Sequence, residues 1–290
     1  MSGPKKIIVL GGVTGLLGVP LTQALRHAGH AVLPTTRATL DPFDREAVRA
    51  AVADFAADWI VNTVAYTAVD KAEDEPDEAA RLNRVLPGNL ARVCLETGAG
   101  LVHYSTDFVF DGKKTSPYLE TDPVSPQSVY GKTKLAGERA ILETGLERYL
   151  ILRTAWLFGP GKTNFVEKIL GLAKTRDVLK VVHDQIGSPT STLDLAANTT
   201  ALLDAGGTGL FHLVNSGRAS WCELASEAVS TAGINCEVLP ITSADYPQKA
   251  KRPAYSVLDI GKFAQVVGYS PRPWVQALRE YVYGLPIEGE

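Results

Sequence analysis

Short apolar runs alternate with amphipathic stretches along the first half of the chain. "KIIVLGG" is a β-rich run ending in glycines, and "LGVPLTQALRHAGH" follows with helical spacing and stops at Gly29. "AVLPTTR", "DWIVNTVAY", "GLVHYSTDFVF" and "YLILRTAWLFG" read as further strands. Between them, "DREAVRAAVADFAA", the long "PDEAARLNRVLPGNLARVCLETG" closed by Gly98, and a segment containing Tyr130 read as helices. Apolar strands alternating with helices predict the α/β class, with a parallel sheet covered on both faces.

After about residue 160 the alternation loosens. "TNFVEKILGLAK", "STLDLAANTTALLDA" and "SWCELASEAVSTAG" are helical, "VLKVVHDQIGSPTS" is a short strand and loop, and Pro240 to Pro273 shows little regular pattern. This predicts a doubly wound sheet domain over residues 1–160 and a smaller mixed lobe over 161–290, some of whose segments return to the first domain. Such a lobe would close over the C-terminal edge of the sheet, where open α/β sheets bind ligands.

Composition narrows the class. The 290 residues are 45% hydrophobic and 21% charged, as in an ordinary soluble protein. A net charge of −3 argues against a nucleic-acid partner. No run approaches the ~18 apolar residues of a membrane span, so no membrane partner is expected. The N-terminal "MSGPKKIIVLGG" has too short an apolar run for a signal peptide and reads as the first strand. Cys94, Cys222 and Cys236 are scattered, and the histidines share no metal spacing. No metal site is predicted from these residues, and a reducing cytoplasm is the expected compartment.

Gly12, Gly15 and Gly18 are spaced by three between the first strand and the first helix. Glycines there permit a tight turn and let the backbone approach a pyrophosphate facing the helix N-terminus. The expected fold is therefore a Rossmann-type, dinucleotide-binding one. An acid at the end of the second strand would hold the ribose 2′-hydroxyl of NAD. Here that end is "LPTTR", and Arg37 with its threonines suits a 2′-phosphate. NADPH is the expected cofactor, with NADH tolerated. Asp41 is the nearest acid and fits either an adenine contact or a cap of the next helix, as Asp44 does.

In "SVYGKTK", Tyr130 and Lys134 are four apart and share one helical face. A free tyrosine titrates near ~10, and an adjacent ammonium favours the phenolate. Such a tyrosine can give a proton to a carbonyl that is being reduced. Ser105 and Thr106 end the fourth strand, and Asn62–Tyr66 and Thr154–Trp156 end its neighbours, all at the same sheet edge. A hydroxyl, a phenol and a lysine thus converge where a nicotinamide would lie. From the residues alone, Asp107 also fits a turn cap, Trp156 plain core and Arg252 a solvated loop charge.

"VNTVAYTAVDKAEDE", "STDFVFDG", "SVYGKTKLAGE", "ILRTAWLFG", "NFV", "DQIGSPT", "FHLVNSG", "SWCELA" and "RPAYSVLD" follow in order over nearly the whole chain. They resemble the extended short-chain dehydrogenase/reductase superfamily and, within it, the dTDP-4-dehydrorhamnose reductases. The resemblance implies reduction of a nucleotide-linked sugar, dTDP-4-dehydro-L-rhamnose, to dTDP-L-rhamnose. It implies that Thr106 bonds the substrate carbonyl, that Tyr130 donates the proton, and that Lys134 holds the nicotinamide ribose and depresses the Tyr130 pKa. Asp107 and Trp156 would line the sugar pocket, with Asn164, Gln185 and Arg252 as further substrate contacts. Gly12, Gly15, Leu16 and Leu17 would wrap the pyrophosphate, and Ala65, Tyr66 and Ser105 would complete the cofactor site. Some family members resemble a magnesium-linked homodimer held by glutamates. Glu288 and Glu290 are available for that, but the rest of such a site has no match, so Mg2+ and a homodimer both stay open. Val64 and Ala155 depart from the family pattern and bear on substrate fit. Two other readings remain: a reductase of another nucleotide-linked 4-keto-6-deoxy sugar, and an NADP-binding partner protein like the regulatory subunit of methionine adenosyltransferase.

Overall fold

The computed structural model describes residues 3–285. The first half runs β1 (Lys6–Leu10), α1 (Gly18–His27), β2 (Ala31–Thr35), α2 (Arg45–Phe55), β3 (Trp59–Asn62), α3 (Pro76–Ala80), α4 (Leu86–Thr97), β4 (Gly100–Thr106), α5 (Val129–Leu142) and β5 (Tyr149–Thr154). The second runs β6 (Leu157–Phe158), α6 (Phe165–Ala173), β7 (Val178–Val182), β8 (Ile186–Gly187), β9 (Thr190–Ser191), α7 (Thr192–Asp204), β10 (Gly209–His212), β11 (Ala219–Ser220), α8 (Trp221–Thr231), β12 (Glu237–Ile241), α9 (Gly261–Val267) and α10 (Trp274–Tyr283). Six strands form a parallel sheet in the order β10-β5-β4-β3-β1-β2.

Strand alternation supplies both faces. Ile7 and Val9 of β1 pack with Leu21, Leu203 and Phe263 from α1, α7 and α9. Ile8 and Leu10 point the other way, onto Val48, Leu90 and Ile141 from α2, α4 and α5. The strand order reverses at β1, so the crevice beyond the ends of β1 and β3 is the switch point where such sheets take ligands. Pro34 is tolerated in β2 because that strand is at the sheet edge.

Later chain returns to this sheet: β10 pairs with β5, and α7 and α9 cover it. Other later elements pack round Phe158, Leu224, Trp274 and Leu278, with β7 and β12 paired in parallel. Within Pro240–Pro273, where little pattern is legible, β12 runs on to Ile241 and α9 forms. The signal for α9 is weak because seven residues bury only Phe263 before Gly268 ends the helix at φ +87. "YLILRTAWLFG" is two strands rather than one, since Trp156 adopts φ 48 between β5 and β6. The long helix of residues 76–97 is interrupted by a π-helical turn, Arg81–Val85. Pro87 has no N–H to offer the Asn83 carbonyl, and the freed carbonyl packs against Gly137 of α5. A Cβ at Gly137 would lie 2.0 Å from that oxygen. Among the described residues, no helix is long and apolar enough to cross a membrane.

One buried ion pair ties α5 to β5. Arg153 donates through Nε and Nη2 to the two Glu138 oxygens at 2.9 and 2.7 Å. Both side chains are about 95% enclosed, with 4% and 5% exposure. Removing one partner strands the other charge in the core, which costs about 3–5 kcal/mol. Glu138→Ala should therefore lower the urea-unfolding free energy by roughly that amount. A loss below ~1 kcal/mol, the range of exposed pairs, would contradict the role assigned to this pair.

Candidate active site

The loop between β1 and α1 leaves no room for side chains. Gly11 has φ +78, and a Cβ on Gly18 would sit 2.1 Å from the Gly11 carbonyl oxygen. At Gly15 the same oxygen would be 2.9 Å away. The loop and helix therefore approach each other through bare backbone. Leu17 caps α1 without any side-chain bond to its amides, while its own side chain lies in the core. This glycine cradle at a helix N-terminus fits a dinucleotide pyrophosphate. Next to it, between β1, β2 and the α3 region, is a cavity of about 230 Å³ whose wall includes Thr14, Thr36 and Arg37.

α5 brings the phenol to β4. Ser128 caps the helix by accepting from the Gly131 amide at 3.2 Å, and Glu73 accepts from the Val129 amide at 2.8 Å. Gly131 lets the helix close on the turn after β4, since a Cβ there would lie 2.3 Å from the Phe108 oxygen. The Tyr130 ring meets Phe108 edge-on at 5.5 Å. Its hydroxyl lies near Thr106. Thr106 donates to Asp107 Oδ1 at 3.0 Å, and Ser256 donates to Asp107 Oδ2 at 2.6 Å. Three residues thus form one hydrogen-bonded chain, Thr106–Asp107–Ser256, with the Tyr130 phenol beside its Thr106 end.

Electrostatics differ from the sequence expectation. Burial pushes Tyr130 up to about 12; the nearby Thr106 hydroxyl lowers it and the Asp107 charge raises it. The expected depression by Lys134 is not seen, because the ammonium donates to the Tyr104 carbonyl at 2.5 Å and lies 3.4 Å from His103 Nε2. Burial brings Lys134 itself down to about 8, opposed by the Glu138 charge. Burial also drives His103 well below its usual range, reinforced by the Lys134 charge.

The sequence model for the RmlD substrate binding domain matches residues 5–285. A dTDP-4-dehydrorhamnose reductase from Streptomyces griseus is 43% identical over 284 residues, covering 96% of this chain and 93% of that relative. The crystal structure of a dTDP-4-dehydrorhamnose reductase from Clostridium acetobutylicum is 40% identical, superposes with a TM-score of 0.90, and the match covers 96% of this chain and 98% of that one. The dTDP-4-dehydrorhamnose reductase of Bacillus anthracis, solved in complex with NADP, is 33% identical with a TM-score of 0.91 over 98% of this chain and all of its own (100%).

The chain belongs to the RmlD family.

Several residues to which the family resemblance assigns substrate or cofactor contacts have other partners in this RmlD-family chain. Asn164 is the N-cap of α6, accepting from the Val166 and Glu167 amides, and its amide nitrogen donates to the Gly159 carbonyl and Tyr281 hydroxyl at 2.9 and 2.8 Å. Arg252 forms a two-pronged pair with Asp70 at 2.9 and 2.7 Å, holding Asp70 down at about 2. Gln185 donates to Ser243 at 2.9 Å. Asp107 is 2% exposed, with one oxygen accepting from Thr106 and the other from Ser256. The Ser105 hydroxyl donates to Glu138 at 2.5 Å. Asp41 accepts from the Phe43 amide at 3.1 Å, a local turn, while Asp44 caps α2. The Tyr66 hydroxyl donates to Glu75 at 2.7 Å. Trp156 stacks on Trp221 with 3.6 Å between centroids, packed over Gly187, where a Cβ would meet the indole at 2.5 Å. Leu16 and Ala65 are half-buried beside the cradle and the β3 loop. Glu288 and Glu290 lie outside the described residues. Among the described residues, no cluster of three or more His, Cys, Asp or Glu could hold a metal.

Two residues of the site escaped the sequence reading. Ser256 lies within the quoted "RPAYSVLD", yet nothing local marks its link to Asp107, 149 positions away. Asn83, fully buried on the π-helical turn, accepts from the Tyr66 amide and donates to the Tyr66 carbonyl and to Thr133, each within 3.1 Å. It fixes the loop after β3, and Pro87 four residues on was its only local sign.

Burial raises Asp107 to about 6 from an ordinary 3.8, against the pull of its Ser256 and Thr106 hydrogen bonds. The folded state therefore holds this proton more tightly than the unfolded chain does. Stability attributable to the group falls as pH rises from about 4 to about 6 and then levels. Asp107→Asn should flatten that part of the Tm–pH profile relative to wild type. Parallel profiles for the two proteins would refute the raised pKa.

Proposed function

We propose that this chain reduces the 4-keto group of dTDP-4-dehydro-L-rhamnose to give dTDP-L-rhamnose, with NADPH as hydride source and NADH also accepted. The Tyr130 phenol beside the hydrogen-bonded chain Thr106–Asp107–Ser256 at the sheet edge carries this reading, in a family whose similar members bear that reductase name. The three free cysteines support a reducing cytoplasm as its compartment.

The residues fit the cofactor. The glycine cradle would take the pyrophosphate on backbone amides, and Thr36 and Arg37 face the cavity expected for the adenosine end. When bound, NADPH supplies the hydride to the ketone carbon. Tyr130, raised to about 12, remains a protonated phenol at neutral pH, the state needed to protonate the developing alkoxide. Thr106 now donates its single hydroxyl proton to Asp107, and turning that proton to the substrate oxygen would give a second donor there. Lys134 is held by the Tyr104 carbonyl beside His103, and a remaining N–H group would be available to the nicotinamide ribose.

Tyr130→Phe should lower kcat for dTDP-4-dehydro-L-rhamnose by at least about 100-fold, with NADPH affinity nearly unchanged. The check is NADPH oxidation with substrate generated in place by a dehydratase and an epimerase, and NMR of the product. Wild-type protein that binds NADPH but turns over only a different keto-sugar would sink the rhamnose assignment. Full activity in the phenylalanine variant would remove Tyr130 as the acid.

A further inference from the structure

The cavity at the ends of β1 and β2 has a second basic wall. Besides Thr36 and Arg37, it is lined by Glu78 of α3 and Arg81 of the π-helical turn. Arg81 grips Glu78 as a fork, Nε to Oε2 at 2.7 Å and Nη2 to Oε1 at 2.8 Å. Its guanidinium lies 4.1 Å from the centre of the Phe43 ring, another wall of the cavity. Arg81 first, and Arg37 more weakly, hold the Glu78 carboxyl below its usual range, so one carboxylate feels both cations. The ion pair is 38% and 42% exposed, where such pairs add little stability and exchange partners readily.

We infer that Arg81 is a specificity-determining residue which, with Arg37, binds the 2′-phosphate of NADPH, and that Glu78 is the carboxylate displaced when it does so. This deepens the dinucleotide reading above and rests on it. The planar fork that now holds a carboxylate has the geometry to take a phosphate through the same two N–H groups. A ribose phosphate carries more charge than Glu78, and stacking on Phe43 keeps the guanidinium in place during the exchange. With NADH, Glu78 stays and accepts from the ribose 2′-hydroxyl. The end of β2 thus supplies only half of the selectivity, and the π-helical turn supplies the other half.

Equilibrium binding tests this without any turnover. 2′,5′-ADP and 5′-ADP are titrated by calorimetry, and NADPH and NADH by nicotinamide fluorescence. Arg81→Leu should weaken 2′,5′-ADP and NADPH at least about tenfold while 5′-ADP and NADH change less than about twofold. Arg81→Lys should recover part of the loss. Glu78→Gln should tighten NADPH and weaken NADH, each by a few-fold. Equal weakening of all four ligands by Arg81→Leu, or an unchanged phosphate preference, would overturn the role of Arg81 and leave the dinucleotide reading standing. Weaker NADPH binding in Glu78→Gln would overturn the displacement. Wild-type protein that bound none of the four would overturn the dinucleotide reading, and Arg81 with it.

Discussion

One face of α5 carries Tyr130, Lys134 and Glu138 on successive turns, and all three are seated against the end of β4 and its neighbour β5. Lys134 and Glu138 are buried, and buried charges are tolerated only where they are paired or hydrogen-bonded. Lys134 finds the Tyr104 carbonyl, and Glu138 finds Arg153 and Ser105. Sliding α5 along the sheet would break these bonds together and leave charges unpaired in the core. The register of the helix is therefore pinned, and with it the position of the Tyr130 hydroxyl beside Thr106. The Tyr130 phenol needs no strong partner of its own because the two turns behind it carry the anchoring.

A second constraint comes from the π-helical turn ahead of α4. The extra residue in that turn, next to a proline that cannot donate, allows Asn83 to face inward. There it clamps both polar groups of Tyr66 and reaches Thr133 on α5. The same turn swings Arg81 toward Phe43 and Glu78. Loop after β3, helix α5 and cavity wall are thus set by one local irregularity.

The later chain contributes at its segment near residue 250. Arg252 is paired with Asp70, Lys249 with Asp74, and Asp70 also accepts from the Ala250 amide at 2.9 Å. These contacts fasten the segment to the loop after β3. Ser256, a few residues on, then reaches Asp107, which in turn holds the Thr106 hydroxyl. Arg252, expected to meet substrate, also holds this piece of chain in place.

Whatever depends on neighbours along the chain was legible in advance: the alternating strands and helices, the glycine turn into α1, the Tyr130–Lys134 pair on one helical face, and the order of family motifs. Periodicity and turn chemistry act over a few residues, so they leave their mark in short windows. The kink at Trp156, the partners of Asn164, Gln185 and Arg252, and the commitments of Asp107 and Lys134 were not legible. Nor was the direction of the Tyr130 shift, since adjacency to Lys134 predicts a lowered pKa while enclosure raises it. Each of these turns on which polar groups face one another once the core has closed, and on how much water is then excluded. Several of these partners are distant in sequence, from 30 positions for Lys134 and Tyr104 to 182 for Arg252 and Asp70, and a buried polar group takes whichever partner the packing brings within reach.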